Sequence, residues 1–335
     1  MLSAAKRFVF DAFGQPSDDT DTCGVLPLGL PASLMRENLH TIWGETFMQY
    51  LVSPKADGTR RVLGFFQSQH GRVVFAMDRA GQAKMVTGMS AVSDAAYAGT
   101  LLDCEFVNVR DVLQVWVFDA LRINGHCVRR IPYLHRLQAA SDFVTRCMGT
   151  DIFPWAVPAH QSIQPMGKWV RHAGTMFFTC KPVWPHTRPR EAYAWGRAMF
   201  PTDGLVFTPH TRAVSSYRSL NVFKWKPAAK HTIDFTVEVD GGGGRMQLLV
   251  VDARGAMVPF ADVPVLCDNG AVVLVSGQVY ECRWVAERQT WSVERPRPDK
   301  DRPNAKLTAE RTCQNIAENV TLRELDPREP ERVSG

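Results

Sequence analysis

Between two runs that read as strands, Thr46–Val52 and Arg61–Gln67, the chain carries Lys55-Ala56-Asp57-Gly58-Thr59-Arg60. A lysine leaves the first run, a glycine permits a tight turn, and an arginine enters the second. Cationic neighbours and partial desolvation favour the free amine of a lysine and make it available as a nucleophile. The Arg60 guanidinium can be aimed at a phosphate or a sugar hydroxyl. Taken alone, the hexapeptide fits a solvated surface hairpin equally well, because short motifs match by chance.

More strands are predicted at close spacing. Arg72–Met77 follows a turn at His70-Gly71, and Arg79 after it suits either a solvated turn or a phosphate or ribose contact. Leu101–Val107 is an apolar run holding Asp103 and Glu105, and Gln114–Ala120 is another that ends on Phe118-Asp119. Buried carboxylates cost free energy unless something pairs with them; a divalent metal, a ribose or a structural arginine would serve. Phe118 can stack on a base or simply fill the core. Thr175–Cys180 reads as a strand leading to Lys181, and Arg188-Pro189-Arg190 as a basic turn. Pro201–Phe207 reads as a turn entering a strand, with Asp203 at its mouth able to reach a metal or water. In Val222–Pro227, strand alternation puts Lys224 and Lys226 on one face and Phe223 and Trp225 on the other. Two ammoniums on one face suit an anion such as phosphate. Helices are predicted at Leu34–Ile42, capped by Ser33, at Tyr133–Met148, and at Leu307–Ile316.

After Pro227 the character changes. His231–Val239, Arg245–Asp252, Ala271–Val275, Gln278–Trp284 and Thr290–Glu294 predict a small barrel of about five strands, OB-like in size. With 335 residues the chain has room for roughly two domains. A net charge of +5 permits a nucleic-acid partner without requiring one. The eight cysteines are scattered, with no C-x-x-C pair, which argues against a zinc or disulfide framework and for a reducing, intracellular setting. No apolar stretch approaches about 18 residues, so no membrane helix is expected, and the N-terminus lacks the pattern of a secretory signal.

In order, the chain now holds K-A-D-G-T-R, D-C-E-F, F-D-A, D-G-L-V-F, F-K-W-K-P and R-P-D-K. This series, from about Leu51 to Asn304, resembles the covalent nucleotidyltransferases, the mRNA capping enzymes and ATP-dependent polynucleotide ligases. It looks most like GTP:RNA guanylyltransferase and is similar to compact stand-alone viral forms. Asp203 stands where ligases usually carry Glu. Phe223–Pro227 runs on into Lys230-His231-Thr232-Ile233-Asp234-Phe235 in the style of capping enzymes. Lys181 sits where the family reads guanine, and Arg297-Pro298-Asp299-Lys300 is followed by a Pro303-Asn304 ending. One departure is Cys104, where the family's Asp-Gly-Glu has glycine; a side chain there is expected to narrow the site slightly.

The resemblance implies an α+β fold. A nucleotidyltransferase domain of ATP-grasp-like antiparallel sheets with helices would span residues 1–230, an OB-fold β-barrel 231–320, and a helix or tail 321–335. It implies that Lys55 attacks the α-phosphorus of GTP, forms a lysyl-GMP adduct, and passes GMP to a 5′-diphosphate RNA end. Lys224 and Lys226 would hold the α-phosphate, Arg60 the ribose with Glu105 beside it, and Arg79 a sugar or phosphate. Phe118 would stack on guanine and Lys181 would donate to O6. Asp203 and Glu105 would bind Mg²⁺ or Mn²⁺. Arg297, Asp299 and Lys300 would reach the β- and γ-phosphates on domain closure. RNA triphosphatase, cap methyltransferase and RNA polymerase are the expected partners, all on other chains and none in a membrane. The expected location is the nucleus for a cellular protein, or the host nucleus or cytoplasm for a viral one. The competing readings are an ATP-dependent ligase and a non-catalytic RNA-binding relative.

Overall fold

The computed structural model describes residues 2–14, 26–44, 49–87, 89, 92–147, 170–172, 176–214, 218–240, 244–267 and 273–326. The chain divides into two units. One comprises Met1–Leu34, Asn38–Trp225 and Leu322–Gly335; the other comprises Met35–Glu37 and Lys226–Thr321.

The first unit runs α1 (Leu2–Ala12), β1 (Leu30–Ser33), α2 (Leu39–Trp43), β2 (Tyr50–Ala56), β3 (Thr59–Ser68), β4 (Gly71–Asp78), β5 (Ala83–Met85), β6 (Thr100–Val109), β7 (Val112–Ile123) and β8 (His126–Cys127). It continues with α3 (Tyr133–Cys147), β9 (Val170–His172), β10 (Met176–Cys180), β11 (Trp184–Pro185), α4 (Pro189–Met199), β12 (Thr202–Pro209) and β13 (Arg218–Trp225). Two sheets result. One has the order β1-β13-β12-β2-β11; the other runs β5-β4-β3-β6-β7-β10-β9, with β8 on β7.

The hexapeptide is therefore not a hairpin. β2 belongs to the first sheet and β3 to the second, so the chain crosses between sheets at Asp57-Gly58. A Cβ on Gly58 would lie 2.4 Å from the Phe106 carbonyl oxygen of β6. That contact excludes every residue but glycine, for want of space rather than for unusual dihedrals.

The apolar strands β6 and β7 form the centre. Leu102, Cys104, Val115 and Val117 pack with Ala140, Phe143 and Val144 of α3. On another face Val62, Phe75 and Leu101 pack with Ala5, Val9 and Phe10 of α1. This places apolar residues of α1 at i, i+4 and i+5, a helical period.

Several local expectations are corrected. Ser33 caps no helix: it pairs in parallel with Lys224 at the end of β1, and α2 begins only at Leu39. Arg188-Pro189-Arg190 opens α4, with the proline in its first turn, where a missing N–H costs nothing. α4 then packs so closely on β2 that a Cβ on Gly196 would lie 2.4 Å from Pro54 Cβ. Residues 45–48, at the start of the expected strand Thr46–Val52, lie outside the described residues.

The second unit is a five-stranded sheet with α5 (Lys306–Glu318). The sheet contains β14 (Thr232–Val239), β15 (Arg245–Val251), β16 (Met257–Pro264), β17 (Gln278–Val285) and β18 (Thr290–Pro296), in the order β16-β15-β14-β17-β18. β16 takes the place of the expected strand at Ala271–Val275, of which 271 and 272 lie outside the described residues. Pro259 and Pro264 disguise β16 in the sequence, and it is an edge strand, where proline is tolerated. Among the described residues the sheet keeps two edges instead of closing. A bridge between Cys267 and Val293, with Val293 N–H donating to Leu266 O at 2.8 Å, reaches across the gap.

Candidate active site

Lys55 and Asp203 meet through a strand irregularity. Gly204 pairs with Lys55 and Thr202 with Ala56, which leaves Asp203 as the extra residue between two paired positions. A bulge of this kind re-aims a side chain. Both Asp203 carboxylate oxygens lie 3.0 Å from Lys55 Nζ, and the side chains are 10% and 26% exposed.

Alternation then builds the floor of a cavity of about 330 Å³. Lys55 and Ser53 of β2, Val206 and Thr208 of β12, and Val222 and Lys224 of β13 line it, while the residues between them do not. The opposite wall carries Arg60, Asp103, Glu105 and Phe118 of the second sheet, with Lys181 just past the end of β10. A volume at the lower end of the usual range for ligand pockets, with apolar and charged groups converging, suits one small molecule.

Asp103 is a site residue that sequence reasoning left without a role. Its oxygens accept from Arg60 Nε at 2.9 Å and Nη2 at 2.6 Å, and Arg60 Nη1 donates to Gly29 O at 2.8 Å. This two-pronged clamp fixes the guanidinium plane. The structural-arginine reading of the Asp103 carboxylate is thereby met. Phe118 receives two cations: Arg60 lies 5.3 Å and Lys181 Nζ 4.9 Å from its ring centroid.

Glu105 and Lys181 titrate against their usual tendencies. Burial raises the Glu105 carboxyl to about 6, against the opposing pull of Lys181, Lys55 and Arg60. Burial pulls the Lys181 ammonium down to about 8, against the support of Glu105. Both groups resist their charged forms because water has been removed around them.

Cys104 does not narrow the site. It is fully buried and points to the other side of β6, among Leu63, Val117 and Cys180 of the core. Burial drives its thiol pKa well up, away from reactivity.

Behind Phe118, Arg136 of α3 is fully buried and donates to both Asp119 oxygens at 2.7 and 2.9 Å. Its Nη1 also donates to the carbonyls of Ile131 and Arg212, both at 2.6 Å. Tyr133 O–H donates to Phe118 O at 3.1 Å. These bonds hold the aromatic strand end in place. Arg136, Tyr133 and Arg212 were not singled out from the sequence; only the long-range pairing that folding creates gives them a role.

Not every expected residue enters the cavity. Arg79 is exposed at the end of β4 and does not line it. Lys226 directly follows β13 and belongs to the second unit. Arg297, Asp299 and Lys300 also lie in the second unit, where a carboxylate organises them. Arg297 Nη1 donates to Asp234 Oδ1 at 2.9 Å, and Lys300 Nζ bonds Asp234 Oδ2. Arg297 also grips Asp299 through two bonds of 2.9 and 2.8 Å, which lowers the Asp299 carboxyl to about 2. Asn304 N–H donates to Asp234 O at 2.8 Å, and its side-chain oxygen accepts from Asp234 N–H at 2.9 Å.

Among the described residues no cluster of three His, Cys, Asp or Glu side chains forms a protein metal cage. Magnesium rarely needs one: one or two carboxylates with substrate phosphates suffice. The oxygen donors Asp203 and Glu105 fit that pattern.

Comparison with known proteins turns on two matches. Residues 20–228 match the mRNA capping enzyme catalytic domain, and residues 245–326 match the mRNA capping enzyme C-terminal domain. The chain belongs to the mRNA capping enzyme family. Among capping-enzyme relatives, an mRNA-capping enzyme of Caenorhabditis elegans is 24% identical over 309 residues, covering 87% of this chain and 46% of that protein. One from Danio rerio is 25% identical over 240 residues, covering 67% of this chain and 36% of that protein. The chain thus spans less than half the length of these relatives. A solved mycobacterial DNA ligase D complexed with ATP and MES aligns with 82% of this chain and 96% of its own, at TM-score 0.43 and 15% identity. So distant a likeness adds nothing to the capping-enzyme assignment. Among the described residues no helix is long and apolar enough to cross a membrane.

Proposed function

We propose that the protein is an mRNA guanylyltransferase that transfers GMP from GTP, through Lys55, to the 5′-diphosphate end of RNA. The observation that carries this reading is a lysine amine on the floor of a cavity of about 330 Å³, bracketed by Asp203 and faced by Glu105, Lys181 and Phe118. Family membership supports the reading.

Phosphoryl-type transfer depends on positioning and charge neutralisation. Asp203 orients the Lys55 amine towards the α-phosphorus. The N–P bond forms as the P–O bond to pyrophosphate breaks, and the proton shed by Nζ passes to solvent, to which Lys55 is 26% exposed. Lys224 steadies the α-phosphate from the floor, with Lys226 next along the chain. Arg60, held rigid by Asp103, meets the ribose together with Glu105. Phe118 stacks on the base and Lys181 donates to O6. Glu105 and Asp203 would hold Mg²⁺ or Mn²⁺, which would neutralise phosphate charge. The family resemblance assigns Arg297, Asp299 and Lys300 to the β- and γ-phosphates, which they would reach only on closure of the second unit; Arg79 contributes at most a peripheral phosphate contact. In the second half-reaction the β-phosphate of RNA attacks the adduct and Lys55 leaves. RNA triphosphatase, cap methyltransferase and RNA polymerase would be supplied by other proteins or by further sequence.

The test is covalent labelling. The protein is incubated with α-³²P-GTP or α-³²P-ATP and a divalent metal, denatured, and examined for label, with Lys55→Ala as control. A GMP adduct that depends on Lys55 is expected. A Lys55-dependent AMP adduct in its place would make the protein a ligase, and no adduct with either nucleotide would overturn the enzyme reading.

A further inference from the structure

We infer that Arg212 is a second base-reading residue, donating to N7 and O6 of guanine at the end of the cavity away from Lys55. This rests on the guanylyltransferase reading above.

The cavity floor has a direction. The paired rows Gly204–Lys55, Val206–Ser53 and Thr208–Leu51 succeed one another along β12 and β2. Thr208 therefore stands about 14 Å from the lysine row, at the usual rise per strand residue. A nucleotide with its α-phosphate at Lys55, laid along this floor, extends its base towards Thr208. β12 ends at Pro209, and the chain turns there to bring Arg212 to the cavity wall beside Phe118, Asp119 and Tyr133.

The turn is firmly built. His210 N–H donates to Gln49 O at 2.7 Å, Arg212 N–H to Pro209 O at 3.1 Å, and Val214 N–H to Arg129 O at 2.8 Å. Tyr133 N–H donates to His210 O at 2.8 Å. The buried Arg136 holds the Arg212 carbonyl at 2.6 Å while gripping Asp119. A residue presented in this way keeps its position when a ligand arrives.

Lys181 and Arg212, two of the five cationic side chains that line the cavity, have different neighbours. Lys181 interacts with Glu105, Lys55, Asp103 and Arg60 and lies over the Phe118 ring, 4.9 Å from its centroid. Arg212 interacts chiefly with Asp119, Arg136 and Tyr133, at the aromatic end. Guanine offers acceptors at both N7 and O6, whereas adenine offers N7 beside an amino donor. A guanidinium fork matches the first pair and opposes the second. O6 carries two lone pairs, so it can accept from Arg212 and Lys181 together.

The experiment is competition against labelled GTP in adduct formation. Unlabelled 7-deaza-GTP, which lacks the N7 acceptor, is compared with unlabelled GTP as competitor for the wild-type protein, Arg212→Met and Arg212→Lys. For the wild type the half-inhibitory concentration of 7-deaza-GTP should be about tenfold above that of GTP, the ratio expected for one good base contact. In Arg212→Met the ratio should fall to about one, and the preference for GTP over ATP should shrink. Arg212→Lys, a single-point donor, should lie between. A wild type that takes 7-deaza-GTP as readily as GTP overturns the inference without needing any variant to fold. So does an Arg212→Met protein that keeps the wild-type ratio. In both cases GMP adduct on Lys55 would leave the guanylyltransferase reading standing; absence of any wild-type GMP adduct overturns both.

Discussion

Asp203 brackets the Lys55 ammonium, with both carboxylate oxygens 3.0 Å from Nζ. The pairing depends on the bulge that leaves Asp203 outside the ladder between β12 and β2. Asp203→Asn keeps the shape and removes the charge. Adduct formation should fall at least tenfold. Stability should change by less than about 1 kcal/mol, because Lys55, the partner left behind, is 26% exposed. Labelling rates and urea melts on the same protein separate the two effects; full labelling would remove Asp203 from the reaction.

Cys104 lies between two site residues yet faces the core. Cys104→Ala should therefore cost about 1–2 kcal/mol of stability through lost packing and leave the labelling rate within twofold of wild type. A large loss of labelling in a protein that melts normally would place the thiol in the site after all.

The Arg136–Asp119 pair predicts a larger loss of stability. Arg136→Met leaves Asp119 charged and buried, and breaking such a pair costs about 3–5 kcal/mol. Urea denaturation measures the loss directly. A change below about 1 kcal/mol would mean that water reaches Asp119 freely.

How much of this was legible beforehand follows from what sequence patterns encode. Lys55, Arg60, Glu105, Phe118 and Lys224 are strand residues whose neighbours alternate, so their faces could be read, and each lines the cavity. Asp103 was visible as a buried acid, but its arginine partner lies 43 residues away and was expected to serve a ribose. Arg212 and Arg136 gave no signal, since one sits in an irregular turn and the other in a helix chosen for its apolar face. β16 was hidden by its prolines, and α4 by a proline that opens the helix instead of ending it.

Lys181 supplies a pH dependence. Burial pulls its ammonium down to about 8, so it loses its proton as pH rises through that value. Binding of α,β-methylene-GTP, which cannot transfer GMP, should weaken above about pH 8 as the charged donor is lost. In Lys181→Arg the guanidinium stays protonated throughout, and the alkaline limb should disappear from the titration. An unchanged limb would assign it to another group.

In the second unit Asp234 joins Arg297 to Lys300. Lys300→Ala should block adduct formation with GTP. The trace of adduct formed on long incubation should still pass to 5′-diphosphate RNA at the wild-type rate, because pyrophosphate has by then departed. Unimpaired labelling of Lys300→Ala would exclude it from the first half-reaction.

The crossing at Asp57-Gly58 has a consequence for size. Ala56 ends a strand in one sheet and Thr59 begins a strand in the other. Three residue steps reach about 10 Å at full stretch. At this corner the two sheets are tethered at no more than that separation, whatever their other contacts allow. The hexapeptide that carries the proposed nucleophile is thus also a spacer gauge, and it limits the thickness of any molecule that can lie flat against Lys55.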